Sequence, residues 1–400
     1  MRPVVLVAIV AVLGCKRGEA AKSDGKSSVP VVASVAPPEP LLPGATCQFP
    51  VKIEEDVTIK GDCVADVRAN VLVANGKTLT IEPGAKLRFQ NTSYLEIGHK
   101  GSRLIARGTK DKPIVFTSAA SSPKRGDWIG LVLDDNIGEG TAIENAVIEY
   151  AGRESHGGQG ALTVFRAFPE GRVSIRDVTF RHNETAISNT RSPFAAFERN
   201  VFSDNTRAMA VSAPVLGTFG EGNDIGDRID VYGGTVTRRA TFGKTKGVYQ
   251  IMEPIYVNGE GSDVASLTIA RGSTLRFAPK TWLEVGTGGP AELNVAGVTF
   301  TSAADKPKAG DWVGMFFGDK TKHASISESV IEYAGGEEHN SDAAVTFVGT
   351  KSWQALDVNF SAVQFRYLQQ AHFSSNGDGC DKALDPKMGI GWAGMTEPCK

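Results

Sequence analysis

Between about positions 50 and 375, apolar residues come in short runs that alternate with polar ones. Leu79-Thr80-Ile81, Leu87-Arg88-Phe89, Leu95-Glu96-Ile97, Val115-Phe116-Thr117 and Val147-Ile148-Glu149-Tyr150 follow this period of two. Side chains alternate between the two faces of a strand, so such runs predict short strands with one buried face. Turn-forming pieces separate them: Glu82-Pro83-Gly84, Gln90-Asn91-Thr92-Ser93 and Lys110-Asp111-Lys112-Pro113. Pro fixes φ, Gly reaches positive φ, and Asn or Asp bonds nearby backbone, which suits these pieces to chain reversal. No segment carries a sustained helical stripe, so the pattern predicts a nearly all-β chain.

The pattern repeats at two lengths. TLTIEPGAKLRF at 78–89 matches SLTIARGSTLRF at 266–277, and YLEIG, VFTSAA, GDWIGLVL and AVIEYAGR find counterparts in the same order. Leu79 thus pairs with Leu267, Phe116 with Phe300, Trp128 with Trp312, and Tyr150 with Tyr333. A finer repeat aligns VTFRHNETAIS at 178–188 with NVFSDNTRAMA at 200–210, a shift of 22 residues. It places Phe180 on Phe202, Asn183 on Asn205 and Ala186 on Ala208, with Asn223 as the next Asn in the series. A repeat of that length holding short strands matches one turn of a parallel β-helix. Inward aliphatic side chains then stack through the bore, and Asn residues at equivalent turns form amide ladders. Each coil buries its apolar face only against its neighbours, so the ends need caps.

The phrases LTIEPGAKLRF, PIVFTSAA, GDWIGLVL and AVIEYAG resemble those of bacterial right-handed parallel β-helix proteins, the broad pectin-lyase-like group. The resemblance covers most of residues 60–370. It implies an all-β solenoid, and right-handedness also follows from the usual rule for parallel connections. Residues 46–222 form the first repeat block of this reading and 223–375 the second. The fold alone does not name an activity.

Charge narrows the partners. The 400 residues carry 43 Lys plus Arg against 45 Asp plus Glu, a formal charge of −2, which gives no basic stripe for a nucleic acid. No apolar stretch reaches the roughly 18 residues of a membrane-spanning helix. Arg2 followed by apolar Pro3 to Leu13 reads as a signal peptide over residues 1–14. Leu13-Gly14-Cys15 resembles the lipobox of bacterial lipoproteins, which implies that Cys15 is lipidated and anchors an exported protein to the membrane. Lys16 after it implies outer-membrane sorting by the same resemblance. Residues 15–45, rich in Ser, Ala, Val and Pro, read as a disordered tether.

Four cysteines remain: Cys47, Cys63, Cys380 and Cys399. An even count in an exported chain argues for disulfides, with three connectivities open. The expected scheme is local, Cys47 with Cys63 and Cys380 with Cys399, because each closes a short loop. The second pair would staple a tail over residues 376–400. None of the spacings resembles a zinc motif.

Several enzymes of the resembled group act on acidic polysaccharides. A glycoside hydrolase needs converging carboxylates. Asp134-Asp135, Ser155-His156-Gly157 and Arg228-Ile229-Asp230 follow the order of that hydrolase pattern, but each departs from it. There is no Asn-Thr-Asp, Ser155 stands where Gly is expected, and Asp230 stands where a basic residue is expected. In the second copy Asp135 matches Asp319, while Asp134 matches Gly318. A lyase would draw on Asp204, Asp224, Asp227 and Asp230 with Arg207 or Arg228, and calcium enters only under this alternative. The loops after the Tyr-Ala-Gly phrases carry Glu154 and His156 in one copy and Glu337 and His339 in the other, which makes them candidate binding loops. Trp128 and Trp312 each precede an apolar run and are expected to be buried. No P-loop, dinucleotide fingerprint or nucleophile set is present, and no cofactor is implied.

The expectation is therefore a cell-envelope lipoprotein whose β-helix is a non-catalytic binding or structural module for a polysaccharide or an envelope protein. The alternative is a polysaccharide lyase or glycoside hydrolase. Because the matched positions supply core and turns, function is expected where the two copies disagree.

Overall fold

The computed structural model describes residues 41, 43–154, 160–166, 171–337, 343–349 and 356–369, and the backbone of strands Phe373–Ser375 and Gly391–Ala393. The chain divides into Met1–Pro40, outside the described residues, and Leu41–Lys400. The second unit is a parallel β-helix, with each strand hydrogen-bonded in parallel to its counterpart one coil away.

In the first block each coil contributes three faces. Face A holds strands Val57–Ile59, Thr78–Ile81 and Arg103–Arg107. Face B holds Val64–Val67, Lys86–Phe89 and Ile114–Ser118. Face C holds Val71–Val73, Tyr94–Ile97 and Gly130–Leu133. The period-two pattern explains all three, since alternate residues such as Leu87 and Phe89, or Leu95 and Ile97, are buried while Arg88 and Glu96 face outward. On face B the inward residues stack in register as Leu87, Phe116, Ile148, Phe180, Phe202 and Ile225. The Phe180 and Phe202 rings lie 4.9 Å apart and nearly parallel. No coil buries such a column alone, which is why strands of three to five residues are stable here.

Polar ladders bind the turns. Asn183 Nδ2 donates to Asn205 Oδ1 at 3.0 Å, and Asn205 Nδ2 donates to Asp227 Oδ2 at 3.1 Å. Asn183 Oδ1 accepts from the Ala151 amide on the preceding coil. Asn223 is not the third rung of this ladder. It lies 23 residues from Asn200 and accepts that residue's Nδ2 in a second ladder one corner away. Ile225 follows Asn223 by two positions, and the register of Phe202 on Ile225 fixes which Asn it meets.

Cys47 and Cys63 form a disulfide, as the local scheme expects. It ties the first edge strand, Cys47–Gln48, to the turn before Val64–Val67. Cys15, Cys380 and Cys399 lie outside the described residues.

The two copies are joined out of phase. Leu275 is the sequence counterpart of Leu87, a face B residue, yet it stacks on face C. That column runs from Leu95 through Leu131, Leu162, Ile187, Met209, Ile229 and Tyr249 to Leu275. Face B ends at Asp224–Ile225. A new column starts after face C at the four-residue helix Ala213–Leu216, which packs under residues 234–236 of strand Ile229–Val236. Those residues pair with 255–257, and these with strand Trp282–Val285. The register shifts between Val231 and Tyr232 let one strand serve both columns. Gly234 at φ +103° permits the corner, since a Cβ there would lie 3.0 Å from Pro214 Cδ. The expected border at residues 222 and 223 falls inside this junction.

Candidate functional site

The duplicated phrases are spent on architecture. Trp128 and Trp312 are fully buried, and their indoles stack on Phe89 and Phe277 at 3.9 and 4.2 Å. Their Nε1 atoms donate to the carbonyl oxygens of Glu149 and Glu332 at 2.9 and 2.8 Å. The Asp before each Trp folds the preceding loop. Asp127 Oδ2 accepts from Ser118 Oγ and the Lys124 amide, and Asp311 Oδ2 accepts from Ser302 Oγ and the Lys308 amide. Two copies of one network explain why TSAA and GDW are retained together.

The Asp-rich stretch between the copies is also held in place. Asp227 ends the Asn ladder, and Asp224 pairs with Lys246 at 2.7 Å. Buried Asp230 lies 3.0 Å from Arg207 and 2.7 Å from Arg228. The Asp204 carbonyl accepts two bonds from the Arg125 guanidinium. These side chains do not meet the Asp134 pair. Asp230 follows Val132 by four ladder steps, roughly 19 Å at ~4.8 Å per strand. His156 and His339 lie outside the described residues. Glu154 and Glu337 flank those gaps, on loops that follow Tyr150 and Tyr333, both at φ +62°.

The concentration of chemistry lies on face C of the first block. Glu96 projects outward from Tyr94–Ile97, His99 follows on the turn, and Asp134 and Asp135 close the neighbouring strand Gly130–Leu133 one coil on. The Asp134 amide donates to Ile97 O, and the His99 amide donates to Asp135 O, so backbone register brings the two turns together. His99 Nε2 lies 3.5 Å from Asp134 Oδ2, and Nδ1 lies 3.2 Å from Asp135 Oδ1. Arg166 on the next coil reaches Asp134 at 3.5 Å and Asp135 at 3.9 Å. Gly98 makes room, because a Cβ there would lie 2.7 Å from Asp134 Cβ. Burial pushes the Glu96 carboxyl above its ordinary range, and the Asp134 charge pushes it the same way. Burial and the Glu96 charge likewise raise the Tyr94 phenol.

All of these residues fall inside the one span that a family model matches. Residues 51–175 match the family of the pectate-lyase like beta helix domain. No curated protein and no solved structure matches the chain. The matched span contains Glu96, His99, Asp134, Asp135 and Arg166, but not the Asp-rich stretch at 204–230. The sequence pattern pointed to Asp134 and Asp135. It missed Glu96, His99 and Arg166, which lie 30 or more residues from the Asp pair along the chain on one side or on the next coil on the other. The signal that could have found His99 was the comparison of copies, where LEIGHKG aligns with LEVGTGG and His99 meets Thr287.

Proposed function

We propose that this β-helix is a non-catalytic binding module of the cell envelope that engages a polysaccharide along the outer face of its second block. The observation that carries the reading is a row of hydroxyl and amide side chains. Thr241, Thr268, Asn294, Ser325 and Asn359 lie in register on the five strands from Arg239–Phe242 to Val358–Ser361. Each is exposed or half-buried. Their strands are ~4.8 Å apart, close to the repeat of a sugar chain, and uncharged donors and acceptors suit its hydroxyls. A second row alongside holds Ser266, Glu292 and His323, with His323 Nδ1 2.7 Å from Asp357. Of the Asp residues proposed for a lyase, Asp224, Asp227 and Asp230 are meanwhile committed to a ladder and ion pairs.

Affinity electrophoresis through gels containing pectin, alginate or a neutral glucan tests this. Retardation of the wild type by at least one polymer is expected, with about tenfold weaker retardation of the Asn294→Ala/Ser325→Ala double variant. Equal retardation of both proteins overturns the assignment of the face.

The lipobox-like Leu13-Gly14-Cys15 supports an anchored, exported protein on the outer membrane. Cys15→Ser is expected to release the processed protein from membranes, and its retention there would refute the anchor.

A hydrolytic reading has one observation in its favour, the raised carboxyl of Glu96 beside Asp134. Against it, the hydrolase pattern is incomplete, with Ser155 and Asp230 standing where Gly and a basic residue are expected. Release of reducing or unsaturated ends from uronates, lost in Glu96→Gln, would establish that reading instead.

A further inference from the structure

We propose that Glu96, His99 and Asp134 form a binding site for a first-row divalent cation of the zinc class. The inference does not rest on the polysaccharide reading. One carboxylate oxygen from Glu96, one from Asp134 and one imidazole nitrogen from His99 all lie within 4.8 Å of one another. Donors about 2.1 Å from a tetrahedral zinc ion are ~3.4 Å apart, so modest side-chain rotation closes the set.

Asp134 supplies an independent observation. Its side chain is 3% exposed, and Oδ1 has no hydrogen-bond partner. The groups beside it, the His99 Nε2 and the Arg166 Nε, both stand at 3.5 Å, longer than a good hydrogen bond. A buried carboxylate in that condition is costly unless something else neutralises it. The His99 ring is also oriented for the role. Its Nδ1 faces Asp135 while Nε2 faces Asp134, the carboxylate–imidazole arrangement that fixes a metal-bound histidine.

The second copy shows that the fold does not require these residues. Glu96 has the counterpart Glu284, but Thr287 replaces His99 and Gly318 replaces Asp134. There the Glu284 carboxylate is satisfied within the protein, accepting from Thr287 Oγ1 and from Trp282 Nε1. One coil geometry is thus built twice, once closed by hydrogen bonds and once left with a buried acid and an imidazole. An imidazole among the donors favours zinc and its neighbours over calcium, which takes all-oxygen sets.

Zinc titrated calorimetrically into the chelator-treated full chain tests the site. Cobalt(II) absorption serves as a second readout of nitrogen and oxygen ligation. One equivalent is expected to bind. His99→Thr and Asp134→Gly, which copy the second block, are each expected to weaken binding at least tenfold while circular dichroism and zinc-free Tm hold. If either variant misfolds, Glu96→Gln carries the same expectation. Absence of zinc uptake by the wild type overturns the proposal, as does equal uptake by every variant. Calcium binding that His99→Thr leaves unchanged overturns it as well.

Discussion

At the scale of single residues, the solenoid spends its charges on corners. Asp177 and Arg199 both sit in the left-handed region, at φ +53° and +54°, one coil apart. The Arg199 guanidinium donates to both Asp177 oxygens at 2.8 Å. This fork, opposed in part by burial, holds the Asp177 carboxyl below its ordinary value of 3.8. Its contribution is therefore complete above that value and is lost as pH falls through the lowered one. Asp177→Asn is expected to flatten the fall of Tm between about pH 5 and 2, with a small effect at pH 7 because the pair is largely exposed. Asn205 presents the opposite case, since it is buried and joins two rungs. Asn205→Ala is expected to cost about 2 kcal/mol in denaturant melts, by stranding the Asn183 amide and Asp227. The inward residues at this scale were legible in the sequence, because a period of two leaves Leu87 and Phe89 on one face whatever the coil length. His99 was not legible. Its partners are set by the register of two turns 35 positions apart, and no local spacing encodes that register.

At the scale of elements, ends and corners matter more than strands. Strand Cys47–Gln48 has two residues and pairs on one side with Val64–Val67, so the disulfide carries much of its attachment. Closing a loop of 16 residues is worth about 3 kcal/mol in the chain-entropy account. The Cys47→Ser/Cys63→Ser variant is expected to lose about that amount, with the earliest amide exchange at residues 46–48. The duplicated Gly-Asp-Trp phrases were readable as strand starts. Their Asp residues were readable only as turn formers, though each organises a loop by accepting two hydrogen bonds, one of them from a Ser nine positions earlier. The Asn ladder was legible for Asn183 and Asn205. Asn223 was misplaced because it falls four residues short of Asp227, which lies one coil of 22 residues after Asn205, so it stacks on Asn200 at another corner.

At the scale of the whole solenoid, the junction is where continuity is thinnest. Only the face C column runs through it as strands in register, while face B stops at Ile225 and the column after face C starts on a four-residue helix. Repeat arrays open at their weakest interfaces, so amides of residues 213–227 are expected to exchange faster than those of the flanking coils. Uniform exchange across residues 180–300 would contradict this. The phase change itself was invisible in the sequence, since each copy reads correctly alone.

That offset has a consequence for how such a chain can be shortened. Within either copy, every strand finds its partner from the coil just before it, so phase is kept locally and the offset is stored only in residues 213–257. A cut that splices Phe89 directly to Ala278 removes 188 residues, the distance from Leu87 to Leu275. Phe300 would then settle above Leu87, its own counterpart's neighbour, and the graft would heal without a seam. A chain divided this way is expected to fold and melt as one cooperative unit, so that gene-level loss of a whole copy leaves a shorter solenoid that still closes on itself.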